Sequence, residues 1–269
     1  MKQYRRVMTI AGSDPSGGAG LQADIKTISA CGCFATSAVV AVVDENTVGV
    51  TGVHPVPAPF VEGQIHSILS DIGTDAVKIG MLHSSELIHT VRRALDRYPD
   101  IRDIVLDPVM VATSGDPLLH ADAVATLRDV LIPRARVITP NIPEAELLLG
   151  HAIRSMSDLP DAACELSRLG ASVLLKAGHL NDAEVADIFY NAETGTSTML
   201  CSPRISTRNT HGTGCTLSSA FASFLAKGHT LDDAARLAKN YISDAIAAGA
   251  AYNIGQGHGP VHHFHAFWE

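Results

Sequence analysis

Cys215 stands in the run Asn209-Thr210-His211-Gly212-Thr213-Gly214-Cys215-Thr216-Leu217-Ser218, where two glycines flank a threonine and small apolar residues continue at helical spacing to Ala226. That pattern is a turn feeding a helix N-terminus. The first amides of a helix have no backbone partner, and the macrodipole makes that end positive. Glycine lets a ligand approach the backbone, so Thr210, His211, Gly212, Thr213 and Gly214 form an anion cradle. The thiol of Cys215 lies at its lip as a candidate base, and a phosphate held beside a base suggests phosphoryl transfer. The helix terminus lowers the pKa of that thiol and an incoming phosphate raises it; the sequence leaves the balance open. His211 either donates to the phosphate or orients the loop.

Other residues suit the same chemistry. Lys176 follows the apolar run Ser172–Leu175, where an unpaired buried ammonium would be costly, so it snorkels to solvent or meets an anion. In the second case it neutralises charge on a transferring phosphoryl group. Asp107 ends Ile104-Val105-Leu106 and caps the next segment or holds a metal's water shell. In Asn141-Ile142-Pro143-Glu144, Asn141 suits a helix N-cap and Pro143 a first turn. Glu144 is then a helix-start carboxylate, or with Asn141 it lies near a hydrated Mg²⁺ between ATP phosphates.

A second glycine-rich loop, Gly12-Ser13-Asp14-Pro15-Ser16-Gly17-Gly18-Ala19-Gly20, matches neither the dinucleotide fingerprint nor Walker A. It is a permissive strand-to-helix turn, or it brings backbone close to a small flat substrate. Asp24, one turn into the following helix, reaches a substrate hydroxyl or amine, or simply favours the helix start.

The elements that must position these groups follow from periodicity. Val7–Ala11, Ala38–Val43, Ala76–Ile79, Ile104–Leu106, Arg136–Ile138 and Val173–Leu175 read as buried strands. Leu21–Ala30, Phe60–Leu69, Ala121–Leu131 and Ser157–Leu169 suit helices, and Leu87, Ile88, Val91, Ala94, Leu95 and Tyr98 mark another helical face. Such alternation predicts a parallel sheet covered on both faces, with ligands beyond the carboxyl ends of the strands. The chemistry-bearing motifs fall there. Ile188–Tyr190 and Ser197–Cys201 look like later, antiparallel strands, and Thr216–Ala226 and Leu231–Ala250 are closing helices. Ser114-Gly115-Asp116-Pro117 reads as a turn. With no linker, repeat or charge block, a single domain over 1–269 is the simplest reading.

Composition narrows the function classes. A net charge of −8 argues against broad nucleic-acid binding but not against one local anion cradle. No apolar run reaches the ~18 residues of a membrane span. The start, Met1-Lys2-Gln3-Tyr4-Arg5-Arg6, lacks a secretory signal pattern. Five cysteines without Cys-x-x-Cys spacing suggest free thiols in a reducing, cytoplasmic protein. His258, His262, His263 and His265 are irregularly spaced, which favours a polar, partly ordered tail over a zinc site.

Together these fragments resemble the hydroxymethylpyrimidine/phosphomethylpyrimidine kinases of thiamine biosynthesis, in the ribokinase-like superfamily. The resemblance is carried by 11–24, Lys78-Ile79-Gly80-Met81-Leu82, Asp107-Pro108-Val109-Met110, 114–119, Thr139–Ala145 and Asn209–Ser218. It implies an α/β fold with a central, mostly parallel sheet of about eight strands and helices on both faces. It implies ATP-dependent phosphorylation of 4-amino-5-hydroxymethyl-2-methylpyrimidine and then of its monophosphate, by a cytoplasmic homodimer. By position, Gly12, Met81, Val109 and Cys215 would line the pyrimidine pocket; Lys176, Asn141, Glu144 and Thr210–Gly214 would face ATP and Mg²⁺. Cys215 stands where sugar kinases of the superfamily place a catalytic Asp.

One position departs from that pattern: the family commonly has Gln where this chain has Glu45. Gln donates to a ring nitrogen and accepts from an amino group, whereas ionised Glu only accepts. Left unsatisfied, that mismatch costs about 1–3 kcal/mol. Either Glu45 or the ring is protonated, or a water bridges, or the preferred substrate is a pyridine such as pyridoxine, pyridoxal or pyridoxamine. Two rival classes are a nicotinamide oxidoreductase, which lacks its glycine fingerprint here, and a non-catalytic nucleotide or pyrimidine sensor, against which the set Lys176, Asn141, Glu144 and Cys215 argues.

Overall fold

The apolar runs become strands and the amphipathic stretches helices in a computed structural model that describes residues 2–110, 123–178 and 184–268. In chain order they are β1 (Arg6–Ala11), α1 (Gly20–Ala30), β2 (Phe34–Val39), β3 (Ala41–Glu45), β4 (Val50–Pro55), α2 (Ala58–Asp71), β5 (Ala76–Ile79), α3 (Ser85–Asp96) and β6 (Ile104–Leu106). Then come α4 (Ala123–Thr126), β7 (Val137–Ile138), α5 (Ile142–Leu149), α6 (Leu159–Ser167), β8 (Ser172–Leu175), β9 (Glu184–Asn191), β10 (Thr196–Pro203), α7 (Thr213–Ala226) and α8 (Leu231–Gly249). The expected turn at Ser114–Pro117 lies outside the described residues, as does the start of the helix expected over Ala121–Leu131. The described part of that helix continues from α4 as a π-helical turn, Leu127–Leu131.

Among the described residues the main sheet has eight strands in the order β10-β9-β8-β7-β6-β5-β1-β2. Pairing is parallel from β2 through β8, and β9 runs antiparallel to both β8 and β10. This is the ribokinase-like α/β architecture, with the late antiparallel strands where the sequence put them.

Strand side chains alternate between faces with a period of two. On one face Met8, Ile10, Val77, Ile79, Leu106, Ile138, Val173 and Leu175 join the core formed with α2 to α6. On the other, Val7, Ala76, Val105, Val137 and Leu174 pack under α1, α7 and α8. Two residues further along, that second face carries Thr9, Lys78, Asp107, Thr139 and Lys176. A hydrophobic floor thus gives way to a polar row at the carboxyl ends of five adjacent strands.

Three sequence expectations need correction. The run Ala38–Val43 is not one strand. The Val40 amide donates to Ala11 O and the Ser13 amide to Ala41 O, and the chain leaves the main sheet there. β3 then pairs antiparallel with β4 in a separate two-stranded sheet that carries Glu45. The last helix pair begins earlier than the apolar pattern suggests, since Thr213 to Cys215 already form the first turn of α7. The histidine-rich tail is packed: Val261, His262 and His263 are buried, His211 and Pro260 form a β-bridge, and the Tyr241 hydroxyl donates to His263 O. Burial pushes the His263 imidazole down to about 3, so it is neutral near pH 7.

Candidate active site

A cavity of about 600 Å³ opens over the polar row. Of the residues singled out from sequence, Gly12, Glu45, Met81, Asp107, Val109, Asn141, Glu144, Lys176, Thr210, His211, Gly212, Thr213, Gly214 and Cys215 all line it. Asp24 does not. It is fully buried beneath the floor, where its carboxylate accepts from the Thr9 hydroxyl at 2.6 Å, the Ser219 hydroxyl at 2.8 Å and Lys78 Nζ at 2.8 and 2.9 Å. Both oxygens are committed, so the expected contact with substrate is replaced by a structural ion pair.

The cradle owes its shape to Gly212, the N-cap of α7, at φ 76°. A Cβ there would lie 1.8 Å from Gly18 O, so only glycine lets the two glycine-rich loops meet backbone to backbone. Of the amides that follow, that of Thr213 donates to Thr210 O at 3.3 Å, and those of Gly214 and Cys215 have no intrahelical partner.

At one end of the cavity Ala41, Val43 and Met81, with Val50 and Val109 against them, make a small apolar wall. Beside it Asp14 accepts from the Ser16 and Ala19 amides and, at 2.9 Å, from His211 Nε2. His211 therefore orients the loops rather than pointing to the cradle. Glu45 Oε1 lies 3.9 Å from the same nitrogen. Among the described residues this is the one trio of His, Cys, Asp and Glu groups whose ligand atoms lie within 4.8 Å of one another. Burial alone would raise Asp14, but the bonds from His211, Ser16 and Ala19 hold it well below the usual carboxylate range. Burial likewise opposes charge on His211, yet Asp14 and Glu45 raise its pKa. The two carboxylates thus favour the charged form of His211.

At the other end Lys176 Nζ donates to Asp107 Oδ1 at 3.0 Å, and the Thr139 hydroxyl donates to the same oxygen at 2.9 Å. A Cβ on Gly214 would lie 3.1 Å from Lys176 Nζ and 3.3 Å from Asp107 Oδ2, so ammonium and carboxylate both abut the cradle. Burial opposes both charges. Lys176 and Lys78 nevertheless lower the Asp107 pKa, and Asp107 and Glu144 raise that of Lys176. Asn141 and Glu144 form the capping box of α5, with Glu144 N donating to Asn141 Oδ1 at 2.9 Å and Asn141 N to Glu144 Oε2 at 2.8 Å. Burial raises the Glu144 carboxyl to about 7, against the pull of Lys176. Asp107 and Glu144 are hard oxygen donors beside an anion cradle, which suits a cation held through its water shell.

Cys215 is half-buried at the cradle's lip. Burial pushes its thiol up to about 11, outweighing Lys78, so the helix terminus does not leave it a thiolate. Five charged residues of the cavity were given no role by the sequence reading: Asp14, Lys78, Asp187, Arg204 and Lys239. Asp187 accepts from the Ala177 amide and from Lys239 Nζ, both at 2.8 Å, and so ties down the strand end that presents Lys176. The readable signal was charge in apolar company: Lys78 in Ala-Val-Lys-Ile and Asp187 before Ile-Phe.

The chain is similar over nearly its whole length to known proteins. Residues 14–262 match a family described as phosphomethylpyrimidine kinase. The chain is 48% identical over 264 residues to the hydroxymethylpyrimidine/phosphomethylpyrimidine kinase of Rhizobium meliloti, covering 97% of this chain and 98% of that one. A crystal structure of Bacillus subtilis pyridoxal kinase with ADP superposes at a TM-score of 0.90 with 34% identity, covering 98% and 99% of the two chains. The phosphomethylpyrimidine kinase of Clostridium difficile superposes at 0.80 with 40% identity, covering 90% and 99%.

Proposed function

The chain belongs to the phosphomethylpyrimidine kinase family, and from that premise we propose that it phosphorylates 4-amino-5-hydroxymethyl-2-methylpyrimidine and then the resulting monophosphate, with ATP as donor. The observation that carries this reading is the juxtaposition of the α7 cradle with Lys176, Asp107 and Cys215 at the lip of one cavity.

The hydroxymethyl oxygen attacks the γ-phosphorus in line, and the bond to the ADP oxygen breaks. Such transfer passes through a loose transition state, so positioning and charge neutralisation carry most of the catalysis. The amides of Gly212 to Cys215 and the Lys176 ammonium stabilise the equatorial oxygens. Asp107 holds Lys176 in place and charged. Asp107 and Glu144 would hold Mg²⁺ through its water shell, and the ion would supply further neutralisation of phosphate charge. Cys215 faces the hydroxyl and takes its proton only as the thiolate, the minor form at neutral pH because burial raises the thiol to about 11, and Thr210 and Asn141 flank the phosphates.

The acceptor ring lies against Gly12, Met81 and Val109, with Glu45 at its polar edge. As a carboxylate, Glu45 accepts from the amino group, and it pairs fully with a ring protonated at the neighbouring nitrogen. A second reading, a pyridoxine-type acceptor, is favoured by the likeness to pyridoxal kinase. ADP release with hydroxymethylpyrimidine and with pyridoxine, on wild type and Glu45→Gln, separates the two. The first reading predicts higher kcat/KM for the pyrimidine in wild type, and a preference for pyridoxine would overturn it. The enzyme works as a cytoplasmic homodimer in this reading; its mass in solution tests the second part.

A further inference from the structure

Four consecutive residues of the tail, Gln256 to Gly259, bond to both ends of the active site. Arg208 Nη2 donates to Gln256 O at 3.2 Å, and the His211 amide donates to Gly259 O at 3.0 Å. Between them, the Gly257 amide donates to Thr47 Oγ1 at 3.2 Å and the His258 amide to Thr47 O at 2.8 Å. Arg208 and His211 belong to the loop that enters α7. Thr47 sits at the tip of the β3–β4 hairpin, two residues after Glu45. The tail has no ladder or helix of its own here, and its backbone groups find their partners on these two sides.

The residue types permit this close fit. In Gly255-Gln256-Gly257-His258-Gly259, alternate residues are glycine. A Cβ on Gly255 would overlap the Thr47 side chain, one on Gly257 would overlap Thr47 O, and one on Gly259 would overlap Asn209 Oδ1. Of the three, Gly255 alone has a positive φ, 71°, so at Gly257 and Gly259 close approach rather than conformation calls for glycine. Asn209 Nδ2 donates in turn to Gly249 O, at the end of α8, and to Tyr252 O, both at 2.7 Å. The hairpin tip is a closed turn: Val48 N donates to Asn46 Oδ1 at 2.8 Å and Asn46 N to Gly49 O at 3.2 Å. A hold on Thr47 is therefore passed along the chain to Glu45. At the hairpin's base, the Val43 amide donates to Ser13 Oγ at 3.0 Å, which fastens the other end of the same strand.

We infer that Thr47, gripped by the tail segment 255–259, is a positioning residue that holds Glu45 at the acceptor's edge in register with the α7 cradle. The inference rests on the reading of Glu45 as the group facing the polar edge of the acceptor ring. Neither Thr47 nor residues 255–259 line the cavity, so their effect passes through the hairpin and the cradle loop. The hairpin depends on the tie more than the loop does. It is a two-stranded sheet separate from the main one, and a pair of strands is marginal by itself. The cradle loop runs directly into α7, whose buried face packs on the core of the main sheet. Loosening the tail should therefore be felt first in acceptor binding and only weakly in nucleotide binding.

The test is steady-state ADP release by the full chain, with hydroxymethylpyrimidine and ATP varied separately, beside melting temperatures. Gly257→Ala, whose methyl meets Thr47 O, should raise KM for the acceptor about 10-fold and keep KM for ATP within about 2-fold. Thr47→Val, a milder change that keeps the shape and removes one hydrogen-bonding oxygen, should raise acceptor KM about 3-fold, and Thr47→Ser should restore it. In a Glu45→Ala background, Gly257→Ala should raise KM no further, because both changes act on one contact. A tail that only packs would lower the melting temperature and leave acceptor KM alone. Wild-type acceptor KM in Thr47→Val, and in Gly257→Ala where that variant folds, would overturn the inference. So would full additivity of Gly257→Ala with a Glu45→Ala change that had itself raised KM. If Glu45→Ala keeps the wild-type acceptor KM while Gly257→Ala raises it, the placement of Glu45 is what falls, and the hold of the tail on the hairpin stands.

Discussion

The two faces of the main sheet are built from the same strands and end differently. Under α2 to α6 the strands stay apolar to their carboxyl ends, as in Ile79, Leu106, Ile138 and Leu175. Under α1, α7 and α8 the floor of Val7, Ala76, Val105, Val137 and Leu174 gives way within two residues to Thr9, Lys78, Asp107, Thr139 and Lys176. One face spends its side chains on packing alone. The other keeps a hydrophobic base and sets charge where α7 delivers its N-terminus. Catalytic placement therefore needs no long loop: a period-two strand ending in a polar residue aims that residue at the cradle.

Substitutions can break this contrast. Gly212→Ala should have the largest effect, because the new methyl meets Gly18 O and the cradle must open; steady-state ADP release should show a loss of roughly 10³-fold in kcat/KM. Next come the neighbours Leu175 and Lys176, which face opposite sides. Lys176→Met should lower kcat roughly 10²-fold, with a fall in melting temperature because the buried Asp107 carboxylate is left unpaired. Leu175→Ala should cost about 2–5 kcal/mol of stability in a denaturant titration while keeping kcat at low temperature. Equal kcat losses from the two would erase the contrast between faces.

A smaller effect is expected at the acceptor end. Glu45→Gln should shift the ratio of kcat/KM between pyrimidine and pyridoxine by about 5–150-fold, corresponding to the ~1–3 kcal/mol of one unsatisfied partner. The smallest concerns His211. Its folded-state pKa is raised above 6.5 by Asp14 and Glu45 despite burial, so its stabilisation is full below pH 6.5 and lost as pH climbs through the raised value. Asp14 behaves oppositely, contributing above its ordinary 3.8 and losing that contribution as pH falls through its lowered value. Urea midpoints from pH 6 to 9 should therefore fall in wild type and stay flatter in His211→Asn. Parallel curves would remove the charged form of His211 from the account.

Much of this was legible from residue order. Strands such as Ala76–Ile79 and Ile104–Leu106 match because apolar runs bounded by polar residues have one way to be buried. The capping box at Asn141–Glu144 was legible because its signal is local. The division of Ala38–Val43 was not, since it depends on a hydrogen bond from Val40 to Ala11 across the sheet. Asp24 was misread for the same reason: a carboxylate one turn into a helix looks available until Lys78, 54 residues away, is seen to fill it. The protonation of Cys215 turned on burial, which a helix-terminus argument does not contain.

A crystal of the protein grown with a non-hydrolysable ATP analogue, magnesium and hydroxymethylpyrimidine tests the central claim most directly. The account predicts the γ-phosphate within hydrogen-bond reach of the amides of Gly212 to Cys215 and of Lys176 Nζ, with the hydroxymethyl oxygen facing the phosphorus from the Cys215 side. A triphosphate lying away from the start of α7, on the opposite face of the sheet or across β3 and β4, would contradict it.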